Sequence, residues 1–477
     1  MKQAISIMWF EQDLRLSDNP AFAAALKQSH ILPMFILDDE NADIYQQGGA
    51  SRWWLHQSLT QLNKQLHGQL NFYLGDAKSV ITDLAKRFNV SSIFWNRRYE
   101  PWRISRDTKI KEALIEQGIQ VTSFSGALLN EPWTILKKDQ TPYKVFTPYH
   151  RQCAQIGIES NPLPAPVLPD EMNCDKKAIQ LEDLSLLPQH SWGGKFHDHW
   201  QPGEAGAHST LHNFLNNGLT NYKEGRDFPA LKSISTLSPH LHFGEISPRQ
   251  INSLLLSVAD DNNREHFTRE LHWREFSYYL LFHWPDLPRK NLKTTFDHFP
   301  WSNDPVSLAL WQQGLTGYPL VDAGMRELWQ TGFMHNRVRM ITASFLVKNL
   351  LVDWRLGAQW FWDCLVDADL ASNSASWQWV AGCGTDASPY FRIFNPTTQG
   401  EKFDPQGTYT KHYLPELQDL PPKFLYRPWE APPEILKKAN ITLGKTYPSP
   451  IVDIKASRER ALGAYQLTKQ AFNSSLF

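Results

Sequence analysis

Hydrophobic residues in the first 125 positions fall into short runs separated by amphipathic segments. Runs rich in β-branched and aromatic residues predict five strands, at Ile5–Phe10, Ile31–Leu37, Leu70–Leu74, Ser92–Trp95 and Gln120–Ser123. Helical spacing predicts helices over Ser51–His67, Ala77–Phe88 and Ser105–Gln117. Strands that alternate with helices predict a parallel sheet covered on both faces. Ligands of such sheets bind at the carboxyl ends of strands, so the Asp38 and Asn96 regions are candidate pocket walls.

The pattern changes twice further along the chain. From about Asn130 to Pro202 the periodicity fades and prolines cluster, which predicts a connector. From Gly203 onward almost every apolar pattern has helical spacing. We therefore predict an α/β domain over residues 1–129, a connector over 130–202 and a large all-α domain over 203–477. The helices predicted in the last part are Ala207–Asn217, Ser247–Val258, His266–Phe282, Leu308–Gly314, Val321–Gln330, His335–Leu350 and Arg355–Leu365.

Composition narrows the class of protein. The 477 residues are 42% hydrophobic and 20% charged, and no apolar run reaches the ~18 residues that a membrane span needs. The net charge of −1 means that a polyanionic partner would have to meet a local basic patch. The four cysteines form no CxxC pair, so we expect a reducing compartment, no disulfide framework and no metal site. The amino terminus reads as a strand and not as a signal peptide.

The segment from Trp354 to Phe403 contains Asp367, Asp369, Asn373 and five tryptophans. Each buried indole needs a partner for its N–H group, so this composition suggests a flat aromatic ligand or electron transfer. A helical core that happens to use tryptophan is the alternative, and composition by itself favours it.

Two other helical segments carry polar groups on apolar helices. Glu270, Trp273 and Arg274 fall on one face of a predicted helix, at spacings of three and four residues. Asn336, Arg337 and Met340 are predicted to share a face in the same way. Polar groups in such places are costly unless they are paired or functional.

Seven sequence motifs occur in a fixed order along the chain. They are WFEQDLRLSDNPA, RDFPA, LSPHLHFGEISPRQ, ELHWREF, TGYPLVDAGMREL, MHNRVRM and WQWVAGCGTDASPYFRIFNPTTQGEKFDP. In this order they resemble the photolyase/cryptochrome family, most closely its cyclobutane pyrimidine dimer photolyases of class I or III. The resemblance implies a Rossmann-like five-stranded parallel domain without GxGxxG, a helical FAD-binding domain, and light-driven electron transfer from reduced FAD to a pyrimidine dimer.

The resemblance also assigns cofactor residues. Asp367 and Asp369 would hold the flavin ring edge and ribose, Arg339 would pair with Asp367, and Asn373 would face flavin N5. An amide at N5 can accept a hydrogen bond without supplying a proton as an acid would. Trp377, Trp354 and Trp301 match an electron-transfer chain. The remaining predicted FAD contacts are Tyr222, Ser235, Thr236, Leu237, Ser238, Arg274 and Asn336.

Substrate residues follow from the same motifs. Glu270 would hydrogen-bond a dimer carbonyl, and Trp273 and Trp379 would form the aromatic walls of its pocket. Asn336 and Met340 would line the pocket, where (6-4) photolyases carry histidines. The predicted contacts with DNA or the pocket rim are Arg226, Arg337, Gln378, Arg392 and Gln399.

Some positions depart from the family pattern. Glu11 stands where an arginine is usual, and Trp102 and Arg103 stand where enterobacterial photolyases grip a folate. We expect a second, antenna chromophore, with methenyltetrahydrofolate as first choice and a deazaflavin as the alternative. We also expect a monomer in the cytoplasm that binds dimer-containing DNA and needs neither a membrane nor a protein partner. A blue-light photoreceptor without repair, or a flavoprotein that only holds DNA, stays open.

Overall fold

Strand β1 (Ile5–Phe10) is buried along its whole length. Ile7 and Trp9 point into one apolar cluster, and Met8 and Phe10 point into another on the opposite face. This arrangement is typical of a central strand in a parallel sheet, because helices cover both faces. The structure is a computed structural model that describes residues 4–28, 30–158, 161–187, 191–259 and 261–474.

Within these residues the strands form one five-stranded parallel sheet in the order β3-β2-β1-β4-β5. The other four strands are β2 (Ile31–Leu37), β3 (Asn71–Leu74), β4 (Val90–Asn96) and β5 (Gln120–Phe124). The predicted α/β fold is confirmed, with strand ends that differ from the prediction by two residues at most. Strands β2 and β3 are added on one side of β1, and β4 and β5 on the other, so the strand order reverses next to β1. Open α/β sheets bind their ligands at such a point.

The chain divides into two compact units. Unit 1 comprises Met1–Thr220, Ser235–Pro285 and Val366–Ala371, and unit 2 comprises Asn221–Ile234, Asp286–Leu365 and Ser372–Phe477. The division by sequence into 1–129, 130–202 and 203–477 stays a prediction.

Unit 1 surrounds its sheet with helices and adds helices from beyond the sheet. Pro at the first helical position starts several of them, because its missing N–H group costs nothing there. The helices of this unit are Pro20–Ala25, Asp39–Ala42, Gly49–Gln65, Ala77–Arg87, Pro101–Ile115, Phe146–Ile156, Glu204–Asn213, Ser238–His242, Pro248–Leu256 and Asn262–His283.

The predicted connector contains an α-helix that the sequence pattern did not reveal. Phe146–Ile156 is an α-helix whose buried residues are Phe146, Tyr149 and Cys153. Their spacing of three and four residues is helical. Three buried residues in a segment of eleven form too weak a pattern to predict a helix from the sequence. In the described part of the connector, 3-10 turns lie at Pro132–Thr134, Leu181–Leu184 and Ser191–Asp198.

The regular structure of unit 2, in the residues that the structure describes, is helical apart from an isolated bridge between Leu443 and Tyr447. The predicted helix His335–Leu350 is helical from Asn336, but its last turn, Phe345–Asn349, is a π-helical turn. None of the helices in the described ranges is long and apolar enough to cross a membrane. The helices are Tyr222–Gly225, Pro305–Gln312, Pro319–Thr331, Asn336–Ser344, Trp354–Cys364, Leu370–Ala381 (which begins in unit 1), Pro396–Phe403, Thr408–Tyr413, Pro422–Leu425, Pro433–Lys438 and Ile454–Ser474.

Candidate functional site

Two buried aspartates form the centre of the candidate cofactor site in unit 1. Asp367 and Asp369 are each 8% exposed and lie in the turn before the Leu370–Ala381 helix. Asp367 Oδ2 accepts a 2.6 Å hydrogen bond from the hydroxyl of Ser238. Asp369 Oδ2 accepts one from the hydroxyl of Tyr278. Both carboxylates are therefore oriented by hydroxyl donors from other parts of the unit.

The chemistry of this turn fits FAD. Carboxylate oxygens accept hydrogen bonds, and the flavin imide N–H and the ribose hydroxyls donate them. Nearby, Thr236 has a positive φ of 52°, its hydroxyl donates to the Ser235 carbonyl, and the Leu237 N–H donates to Ser235 Oγ at 3.4 Å. The hydroxyl hydrogen of Ser238 is used by Asp367, so a phosphate contact of Ser238 stays a prediction.

In unit 2, Asn373 is half-buried and donates its amide N–H to the carbonyl of Ala358 at 3.0 Å. This bond orients the amide, because the nitrogen must face Ala358 and the oxygen must face away from it. The oxygen is left as an acceptor, as its predicted role opposite flavin N5 requires. Tyr222 is buried in the same unit, and the Arg226 guanidinium lies 5.3 Å from its ring centre. Arg339 donates to the Met334 carbonyl; because Asp367 belongs to the other unit, their pairing stays a prediction.

The Asn262–His283 helix carries the predicted substrate residues of unit 1. Glu270, Trp273 and Arg274 lie on it and are all half-buried. The Trp273 ring stacks on Phe146 with centroids 3.7 Å apart and planes 7° apart. Arg274 donates to the Ala127 carbonyl at 3.0 Å. The helix of the connector therefore supports one face of Trp273.

The Asn336–Ser344 helix carries the predicted substrate residues of unit 2. The Asn336 amide contacts Met340 Sδ at 4.0 Å, which confirms that the two share a face. Arg337 forms a 2.6 Å ion pair with Asp227 and lies over the Phe403 ring.

The other predicted DNA contacts of unit 2 differ in exposure. Arg392 is exposed, and Trp379 and Gln399 are half-buried. The prediction for Gln378 is wrong, because this side chain is fully buried. It donates to the carbonyls of Leu287 and Lys290 and accepts from the Leu292 N–H. These bonds use its amide inside the unit and leave it nothing to offer DNA.

The three predicted electron-transfer tryptophans lie in unit 2 at different depths. Trp377 and Trp354 are buried, and Trp301 is half-buried. The Trp377 ring packs on Phe361 and Trp311, and Trp354 donates its N–H to Asn291 Oδ1 at 2.9 Å. A Cβ on Gly357 would lie 2.2 Å from Trp377 Cη2, so this glycine lets Trp377 approach the helix that begins at Trp354.

A second candidate site lies at the carboxyl ends of β1 and β2 in unit 1. Its cavity is lined by Glu11, Asp38, Trp102, Arg103 and Arg106, among others. Glu11 forms ion pairs with Arg103 and Arg106, and both guanidinium groups lie over the Trp102 ring. The predicted pocket at Asp38 is confirmed.

Asn96 is not part of this cavity wall. It is a buried residue whose amide nitrogen contacts Asp13 Oδ2 at 2.6 Å and Asn19 Oδ1 at 2.7 Å. Its position at the carboxyl end of β4 correctly indicated this end of the sheet, but its hydrogen bonds are internal.

Sequence reasoning missed the residues that support the predicted ones. Tyr278 and His242 flank Asp369, and Phe146 supports Trp273. Gly357 inside a helix was a usable signal, because glycine there weakens a helix unless something packs closely against it. The others carry no local signal, because their partners are far away in sequence.

Comparison with known proteins agrees with the geometry. Residues 6–168 match the family model described as DNA photolyase, and residues 267–467 match the FAD binding domain of DNA photolyase. The deoxyribodipyrimidine photo-lyase of Agrobacterium fabrum is 48% identical over 98% of this chain and 99% of its own length. Cryptochrome-2 of Arabidopsis thaliana is 38% identical over 98% of this chain and 79% of its own.

Among solved structures, a bacterial class III photolyase from Agrobacterium tumefaciens matches with a TM-score of 0.92 at 47% identity. The match covers 98% of both chains. On this fold, these motifs and this extent of identity, the chain belongs to the DNA photolyase family and carries the FAD-binding domain of that family.

Proposed function

We propose that this protein repairs cyclobutane pyrimidine dimers in DNA under blue light, as a photolyase of the class III branch. The observation that carries the proposal is the helix face with Glu270 and Trp273. Both side chains are half-buried, and Trp273 is held by its stack on Phe146 at 3.7 Å. A fixed aromatic wall beside a carboxyl group suits two linked pyrimidines that carry carbonyl oxygens.

FAD, when bound, absorbs the light and supplies the electron. Asp367 and Asp369 accept hydrogen bonds from its ring edge and ribose, with Arg339 as the counter-charge and Asn373 Oδ1 as the acceptor at N5. Arg274 and Asn336 complete these contacts, and Tyr222 with the Ser235–Ser238 turn receives the phosphates. The pattern of donors to Asp367 and Asp369 supports this assignment.

On the substrate side, Glu270 forms a hydrogen bond with a dimer carbonyl, where charge develops as the electron arrives. Asn336, Met340 and Trp379 contact the flipped-out dimer. Arg226, Arg337, Arg392 and Gln399 contact the DNA, so binding weakens with salt and has little sequence preference. Trp377, Trp354 and Trp301 carry electrons inward from the surface.

The sheet-edge cavity is the proposed site of the second chromophore. The Trp102 ring and the charges of Glu11 and Arg103 suit a flat ring with amide-like edges, which both candidates have; methenyltetrahydrofolate is the first choice and a deazaflavin the alternative. The absorption spectrum of the purified protein separates the two. We further propose a cytoplasmic monomer that joins the nucleoid when it binds damaged DNA. Four free thiols, at Cys153, Cys174, Cys364 and Cys383, support a reducing compartment.

The test is repair of a thymine-dimer oligonucleotide by the chemically reduced protein under blue light. Glu270→Ala is expected to lower the repair yield about tenfold and to leave FAD bound, because it removes one hydrogen bond to developing charge. Glu265→Ala is the matched control, since Glu265 is an exposed carboxylate on the same helix. Unchanged repair by Glu270→Ala would remove Glu270 from this role.

The photoreceptor function is the second candidate, because the match to Cryptochrome-2 spans 98% of this chain. If the bound flavin photoreduces but the protein restores no thymine in single- or double-stranded DNA, the photoreceptor function is favoured over repair. Trp377→Phe should block photoreduction and leave repair by pre-reduced protein intact. Normal photoreduction by that variant would exclude Trp377 from the chain.

A further inference from the structure

Asp369 receives a hydrogen bond from a fully buried tyrosine. Tyr278 is 1% exposed, and its hydroxyl bonds Asp369 Oδ2 inside unit 1. Burial, followed by the charge of Asp369, raises the pKa of Tyr278 above its usual value. The hydroxyl therefore keeps its hydrogen and is the donor, and the carboxylate is the acceptor.

A second group approaches the same oxygen from His242. His242 Nδ1 lies 3.7 Å from Asp369 Oδ2, and the other ring nitrogen, Nε2, lies 3.1 Å from Gln12 Nε2. Which nitrogen of His242 carries the hydrogen depends on the orientation of the Gln12 amide. Arg98 decides that orientation, because its Nη2 lies 2.7 Å from Gln12 Oε1 and a guanidinium can only donate.

The direction of each bond then follows. The Gln12 oxygen faces Arg98, so its NH₂ group faces His242 and must donate to Nε2. A neutral His242 with an acceptor at Nε2 carries its hydrogen on Nδ1, the nitrogen that faces Asp369. An imidazolium would set two donors against each other at Gln12.

Arg98 is the common origin of both routes to Asp369. Its side chain is 1% exposed and forms a 3.1 Å ion pair with Glu100. The same Nη2 also approaches the Tyr278 hydroxyl oxygen at 3.5 Å. One route therefore runs from Arg98 through Tyr278 to Asp369, and the other runs through Gln12 and His242. The first route ends in a hydrogen bond from the Tyr278 hydroxyl to the carboxylate. The second ends at His242 Nδ1, whose N–H group faces Asp369 Oδ2 at 3.7 Å, which is too far for a hydrogen bond.

We propose that Tyr278 and His242 are positioning residues for FAD that act through Asp369, with Arg98 and Gln12 setting the polarity of both routes. The proposal rests on the proposed role of Asp369 as an FAD contact. A carboxylate oxygen that takes a hydrogen bond from Tyr278 is fixed in rotation, so its other oxygen is presented to the ligand. Without the Tyr278 hydrogen bond and the nearby His242 N–H group, FAD binding would also have to orient the carboxylate, which lowers the affinity for FAD.

The experiment measures the rate of FAD release from the holoprotein, followed by flavin fluorescence after dilution. Tyr278→Phe removes one hydroxyl and should speed release about three- to tenfold. Tyr279→Phe is the matched control. Tyr279 is equally buried on the same helix, but its hydroxyl donates to the Ile135 carbonyl. It should leave the release rate unchanged.

Variants at His242 test the second route. His242→Leu should speed release, whereas His242→Asn keeps an N–H group near the position of Nδ1 and should restore most of the wild-type rate. Equal rates for the two variants would contradict the proposed role of the His242 N–H group.

Asp369→Asn separates this inference from the role on which it rests. If Asp369→Asn does not alter FAD release, the role of Asp369 fails and the inference fails with it. If it speeds release, the double variant with Tyr278→Phe should release FAD no faster than Asp369→Asn by itself. Additive effects, a wild-type rate for Tyr278→Phe, or an equal loss in Tyr279→Phe would each overturn the action through Asp369.

Discussion

Two glutamates, one in each unit, are buried to a similar extent, but their pKa values shift in opposite directions. Glu100 in unit 1 is 5% exposed and Glu327 in unit 2 is 7% exposed. Burial by itself would raise the pKa of Glu100, but Arg98 and Arg103 offset it and hold the pKa below the usual value. Burial raises the pKa of Glu327 to about 7.

The partners explain this difference. Glu327 accepts hydrogen bonds from the Tyr409 hydroxyl at 2.6 Å and from the His335 N–H at 3.1 Å. Neutral donors lower the pKa of a buried carboxylate less than two guanidinium groups do. Unit 1 therefore keeps a fixed charge beside its cavity and its aspartate turn. In unit 2, Glu327 changes protonation near neutral pH, and it accepts a hydrogen bond from His335, the residue that caps the Asn336–Ser344 helix.

The largest effect is expected from removing a cation in unit 1. Arg98→Met leaves Glu100 without its nearest counter-charge and should lower the free energy of unfolding by about 3 to 5 kcal/mol. Urea unfolding at pH 7 measures it. The double variant with Glu100→Gln removes both charges and should recover part of the loss. A loss below about 1 kcal/mol would show that Glu100 does not depend on Arg98.

An intermediate effect is expected from the acid in unit 2. The pKa of Glu327 is about 7 in the folded protein and about 4.5 in the unfolded chain. Between these pH values the folded protein therefore keeps a proton that the unfolded chain has released. The contribution of Glu327 to the free energy of unfolding is therefore largest below pH 4.5 and falls as the pH rises to about 7. In Glu327→Gln the fall in the free energy of unfolding should be smaller by about 2 kcal/mol.

Urea midpoints at pH 5 and pH 7.5 test this, with the exposed Glu434→Gln as control. The same fall in Glu327→Gln and wild type would mean that Glu327 does not titrate in this window.

The smallest effect is expected from a single neutral donor. Tyr409→Phe removes the hydroxyl that bonds Glu327 and should cost about 1 kcal/mol at pH 7.5. The pKa of Glu327 should rise further, so the cost should shrink at pH 5, where the side chain is already protonated. Tyr413→Phe, on the same helix, is the control for loss of a phenol hydroxyl. An equal cost at both pH values would indicate that the hydroxyl acts by packing and not through the charge.

Much of the architecture could be predicted from local pattern. Strands Ile5–Phe10 and Ile31–Leu37 were predicted to the residue, because burial on both faces leaves a continuous apolar run. The Phe146–Ile156 helix was not predicted, since it buries only one narrow stripe. The cavity at Asp38 followed from the rule that strand ends carry ligands, whereas the same rule failed for the Asn96 side chain, whose amide is used internally.

By itself, the sequence determined the α/β and helical halves, the family, and the candidate residues from Glu270 to Asn373, because these depend on short periods and on motifs of adjacent residues. Only the tertiary structure decided which candidates have which partners. Gln378 is adjacent to Trp377 and Trp379 in the chain, yet its amide is enclosed by the 287–292 segment. Tyr278 reaches Asp369 across 91 positions, and Gln12 reaches His242 across 230. The physical reason is that a hydrogen bond needs both groups within about 3 Å, and spacing along the chain does not determine a distance of that kind.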